Sequence, residues 1–94
     1  MDFVQTSTIN DCALLDDRIV LTDVEHMKLV VASIFDYRFR FIRQSFSPFY
    51  ITEVDNYTVA ISYTNVEIVK ILNIDTERVE RTIYTHGSCK GIFL

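Results

Sequence analysis

The stretch LTDVEHMKLV at residues 21–30 is answered by YTNVEIVKIL at residues 63–72. How this echo is read decides the fold. In each copy a Thr stands three residues ahead of a Glu: Thr22 before Glu25, and Thr64 before Glu67. That spacing suits a capping box, in which each side chain satisfies a backbone N–H that the first helical turn leaves without a partner. A lysine follows each glutamate by three residues, giving Glu25/Lys28 and Glu67/Lys70 pairs worth about 0.3 kcal/mol each on a helix surface. Both stretches therefore predict helix starts.

The two predicted helices differ in how much of their circumference is apolar. In the second, Glu67, Lys70 and Asn73 form a polar stripe, while Val66, Ile68, Val69, Ile71 and Leu72 cover the rest. The first continues as LVVASIF, and Val31 stands where the echo would place Asn73. A helix apolar nearly all round must be covered on more than one side. Either it lies deep in the core, or a homodimer forms through the helix around Leu29 to Phe35.

Away from the echo the apolar period changes from 3.6 to 2. In YTVAISYT, Tyr57, Val59, Ile61 and Tyr63 share one face, and Thr58, Ala60, Ser62 and Thr64 the other. FYITEV pairs with it across Asp55-Asn56, residue types that suit a tight turn. YRFRFIR, residues 37–43, reads as a strand that alternates aromatics with arginines, or as a continuation of the first helix, with Pro48 ending either version. DRIVL and RVERTIYTH complete the order strand, helix, strand, strand, helix, strand. The expected fold is α+β: a single domain over residues 1–94, built as a ferredoxin-like (split βαβ) two-layer sandwich with two helices on one face of an antiparallel sheet. Its two halves are equivalent, which accounts for the echo. Extra strands are expected at FVQTSTI and GIFL.

Composition narrows the class without naming a function. The 94 residues are about half apolar and 23% charged, the profile of a folded domain. A net charge of −4 disfavours nonspecific nucleic-acid binding, which draws its affinity from cations replacing condensed counterions. Cys12 and Cys89 make no secreted-type disulfide framework, and no apolar run approaches a membrane span, so a cytoplasmic setting with no membrane contact is expected. The excess of Ile, Phe, Tyr, Asn, Lys and Met over Gly, Ala, Arg and Pro matches AT-rich coding, as in a low-GC bacterium, a phage or another virus.

In the expected fold the open sheet face carries Arg38, Arg40, Thr58, Ser62, Glu80 and Tyr84. Guanidinium groups bond carboxylates and phosphates bidentately, so Arg38, Arg40, Ser62 and Tyr84 are the candidate partner-binding residues, unless they serve only to solvate that face. Arg81 fits poorly, because alternation turns it inward with Val79 and Ile83. The tail HGSCKG groups His86, Ser88 and Cys89, but nothing in the sequence orients a base on a nucleophile. His86 and Cys89 with Cys12 and His26 lack paired metal-ligand spacing, and Asp16-Asp17 and Glu77/Glu80 suit turns and surfaces better than acid–base work. No phosphate loop or hydrolase elbow is present. The expectation is a non-enzymatic module without cofactor or metal that binds a protein partner, in the manner of a viral accessory or inhibitor protein. The alternative is a nucleic-acid binder using Arg38 and Arg40.

Overall fold

The computed structural model describes residues 8–85, and they form eight antiparallel strands and no helix. β1 (Ile9–Leu15), β2 (Arg18–Asp23), β3 (Lys28–Ser33) and β4 (Phe39–Arg43) make one sheet; β5 (Pro48–Asp55), β6 (Thr58–Tyr63), β7 (Ile68–Asn73) and β8 (Arg78–Tyr84) make the other. In each sheet consecutive strands are neighbours, so each is a four-stranded meander. The α+β, ferredoxin-like expectation is thereby overturned, and both predicted helices with it.

The physical reason lies in the echo itself. Thr22 is not a cap but a fully buried residue of β2, whose hydroxyl accepts from Asp11 N–H (3.0 Å) and donates to the Phe49 carbonyl (3.2 Å). Residues 24–27 and 64–67 are the turns that join β2 to β3 and β6 to β7. The apolar runs behind them are rich in β-branched side chains, Val66, Ile68, Val69, Ile71 and Ile74 in the second copy, which fit a pleated surface better than a helix. LVVASIF is apolar on all sides because it is a strand: Leu29 and Val31 face the other sheet, while Val30 and Ala32 lie on the opposite face. A short apolar run cannot be assigned by period alone, and no helix remains around Leu29 to Phe35 to carry the expected dimer contact. Residues 39–43 are strand, not a helical continuation. FYITEV and YTVAISYT do pair as a hairpin, closed by Asn56 and Tyr57. FVQTSTI lies outside the described residues except for its last two, of which Ile9 opens β1; GIFL lies outside them altogether.

The two sheets are copies of one unit, and their numbering runs in step. β2 begins at Arg18 and β6 at Thr58; β3 begins at Lys28 and β7 at Ile68, with equal lengths in each case. Loop hydrogen bonds repeat too. Ile34 N–H donates to the Asp17 carbonyl (2.8 Å) as Ile74 N–H does to that of Tyr57 (2.9 Å). Gln44 to Met27 is answered by Thr85 to Glu67, both 2.8 Å, with the donor moved one place along by a bulge in β8. Tyr37 and Glu77 close equivalent turns at positive φ, 57° and 61°. The lettered echo at residues 21–30 and 63–72 is out of step with this repeat, since Thr22 corresponds to Ser62 and not to Thr64.

The units stack with unlike faces in contact. The first sheet contributes Ala13, Val20, Leu29, Val31 and Ile42 to the core; the second contributes Ile51, Val59, Ile61, Tyr63 and Leu72. The repeat counterparts of Val20, Leu29 and Val31 are Ala60, Val69 and Ile71, and these lie on the far side of the second sheet, Ala60 opposite Ile71 and Val69 opposite Ser62. A two-fold sandwich would bury like faces. Here the second unit follows the first as one slice follows another, closest where β5 meets β1 and β2. The bulge near Glu80 breaks the alternation of β8, so Arg81 shares the outer face with Ile83, while Val79 lies opposite Leu72 on the inner one.

Candidate binding cleft at the turn end

A meander sends its first and third turns to the same end, so the turns β1–β2, β3–β4, β5–β6 and β7–β8 gather at one end of the stack. Asp16 takes φ 52° in the two-residue turn Asp16-Asp17, a conformation Asp tolerates well. The longer turns are braced by their own side chains. Arg38 N–H donates to Asp36 Oδ1 (3.2 Å), and at the same place in the second unit Arg78 N–H donates to Thr76 Oγ1 (3.3 Å).

Beside these turns lies a cleft of about 260 Å³ lined by Arg18, Val31, Ser33, Asp36, Arg38, Phe39 and Arg40. Its arginines are not equivalent. Arg18 crosses to the second sheet, pairing with Asp75 and donating to the Asn56 carbonyl (2.6 Å). Arg40 crosses likewise, to Glu77 Oε2 (2.7 Å) and to the Ile74 carbonyl. Both are committed to holding the sheets together. Arg38 has an 87% exposed side chain, with only a loose 3.9 Å approach to Asp36. The Ser33 side chain, and after it the Arg38 N–H and charge, hold the Asp36 carboxyl below its ordinary value, so it stays ionised in the cleft wall.

The turns at this end of the stack expose Phe35 (77%), Tyr37 (88%) and Tyr57 (48%). Aromatic rings next to an exposed guanidinium are the residue types enriched at protein interfaces. The same end carries Asp16, Asp17, Asp36, Asp55, Asp75 and Glu77. No nucleophile with an oriented base is assembled there among the described residues.

Of the four residues the sequence singled out, the structure brings Arg38 and Arg40 to one cleft and leaves the other two elsewhere. Ser62 is fully buried on the outer face of β6, its hydroxyl without a hydrogen-bond partner among the described residues. Tyr84 is 81% exposed at the end of β8 away from the turn end. Thr58 is buried, and Glu80 accepts from Asn73 Nδ2 (3.3 Å). His26 belongs to a turn where Asp23 accepts its backbone N–H, Cys12 is exposed on β1, and His86, Ser88 and Cys89 lie outside the described residues. Among the described residues no three His, Cys, Asp or Glu side chains gather as metal ligands. Sequence reading missed Arg18, Phe35, Tyr37 and Tyr57. The signal was there in Asp16-Asp17, two turn-forming residues between alternating runs.

Comparison with known proteins matches the chain to no family and to no curated relative. No helix of the described residues is long and apolar enough to cross a membrane.

Proposed function

We propose that this chain is a non-enzymatic protein-binding module made of repeated four-stranded units, with the turn end as its binding surface. Four-stranded antiparallel units of about 40 residues, stacked with unlike faces together, are how β-propeller blades are built. Such scaffolds present loops at one end while the stacked sheets keep them rigid. The observation that carries the reading is the group Phe35, Tyr37 and Arg38, exposed together on the β3–β4 turn whose Asp36 and Arg38 line the cleft. The two cysteines and their spacing favour a reducing, cytoplasmic setting for it, and occupation of a partner's surface remains the mode of action.

A protein partner is favoured over nucleic acid on electrostatic grounds. Arg18 and Arg40 are already paired with carboxylates, and the surrounding acids repel a phosphate backbone that binding requires to be neutralised. The test is affinity capture with the wild type and with a Phe35→Ser/Tyr37→Ser/Arg38→Glu variant whose β circular dichroism is unchanged. A protein captured reproducibly by the first and lost at least tenfold with the second is the expected result. Equal capture by both places the binding surface elsewhere. Tight oligonucleotide binding at low salt that fades as salt rises would overturn the protein reading in favour of nucleic acid.

A further inference from the structure

The outer face of the β1–β4 sheet is lined by two apolar rows, beside which the Lys28–Arg43 pair places Lys28 Nζ 3.8 Å over the Phe41 ring. One cross-strand row runs Leu14, Ile19, Ala32, Phe39, and the next Cys12, Leu21, Val30, Phe41. Leu14 is 58% exposed, Phe39 43% and Phe41 46%, while Val30 in the middle of the face is fully buried beneath its neighbours. An antiparallel sheet with one face in water ordinarily alternates polar residues onto that face, and an apolar patch of this kind marks an association surface.

The fold itself holds the template for what covers it. Ile19, Leu21 and Ala32 are the repeat counterparts of Val59, Ile61 and Leu72, the residues that the second sheet presses against the first. The exposed face of the first unit is thus the same face that the second unit keeps buried. At the other end of the stack, the outer face of the β5–β8 sheet is the counterpart of the first sheet's inner face. Ala60 and Ser62 on β6 are fully buried there, so what this face offers is its β7–β8 side, with Ile71, Arg81 and Ile83. Charge follows the same logic. Arg40, opposite Val31, reaches across to the turn ending at Glu77. Arg81, opposite Ile71, is its counterpart; in the first unit Tyr37 stands at the position of Glu77, with the carboxylate of Asp36 beside it.

We infer that the outer face of the β1–β4 sheet receives the outer face of the β5–β8 sheet of a second copy of this chain, continuing the stack head to tail. The contact is heterologous: two different surfaces meet, so an open array keeps one face of each kind free at its ends until it closes. Blade rings of roughly four to eight units then correspond to about two to four copies. The inference rests on the repeat-unit reading above and not on the turn-end binding surface.

Sedimentation and native mass spectrometry test it. The wild type is expected to form a closed oligomer of about two to four copies. Phe41→Glu spoils one face and Ile83→Glu the other, and each alone is expected to shift the population at least tenfold toward monomer with its β circular dichroism retained. Mixed together, the two variants retain one intact pair of faces and are expected to form a one-to-one dimer. A wild type that stays monomeric at high concentration overturns the inference, as does a mixture that stays monomeric. Partner capture is read on the Phe35→Ser/Tyr37→Ser/Arg38→Glu variant and assembly on Phe41→Glu and Ile83→Glu, at different side chains, so the two proposals fail separately.

Discussion

Asp23 carries more of the fold than its place at the end of β2, beside a hydrophilic-looking turn, suggests. Its residue is only 3% exposed, and its carboxylate accepts the His26 N–H at 3.2 Å and lies 3.0 Å from His26 Nδ1. Burial pushes its pKa up, but the bonds from the His26 side chain and backbone and from Thr8 outweigh that and leave it below the ordinary 3.8. A carboxyl depressed by folding stabilises fully above its unfolded pKa and loses that contribution as pH falls through the lower folded one. Asp23→Asn is therefore expected to cost about 1–2 kcal/mol near neutrality, and urea titrations taken from pH 6 down to pH 2 should show the gap to wild type closing at the acid end. His26, weighed from sequence as a metal ligand, acts here on the turn.

Among the elements, the repeat makes paired predictions. Tyr37 and Glu77 hold equivalent positive-φ positions, where a side chain costs about 1–2 kcal/mol. Tyr37 is almost wholly exposed, so Tyr37→Gly removes the strain and loses no packing. Against that, glycine adds about 0.4–1 kcal/mol of unfolded-chain entropy, leaving an expected net gain of about 0.5–1 kcal/mol in denaturant melts. Glu77→Gly gains the same relief but forfeits the ion pair with Arg40, a half-exposed contact worth at most about 1 kcal/mol, so it should come out near neutral. Had the two turns been unrelated, no such pairing of effects would be expected. The strands at YTVAISYT and RVERTIY were legible because their residues alternate or carry β-branched side chains. The echo misled because Thr, Asp and Glu serve a turn between strands as readily as the start of a helix.

Across the stack of both sheets, stability hinges on the contact between unlike faces. Ile61 is fully buried where the second unit meets the first, and Ile61→Ala is expected to cost about 2–5 kcal/mol. If the sheets are one cooperative unit, that loss should appear as a single transition with a lowered midpoint, whichever sheet a probe reports on. Two separated transitions would show that the units fold independently. Arg18 and Arg40 tie the same contact together at its turn end, which is why only Arg38, of the arginines lining the cleft, is left to meet a partner.

Local features could be read from the chain alone: the strands at DRIVL, FYITEV, YTVAISYT and RVERTIY, and the turn-forming acids. Those depend on contacts within a few positions. Long-range packing was needed to show that the halves are stacked four-stranded sheets repeating in step, that Ser62 is buried and Tyr84 remote, and that aromatic rings gather at one end. An apolar residue in a short run looks the same whether a helix or a second sheet covers it, and the covering partner lies a whole repeat away along the chain, beyond the reach of any local pattern.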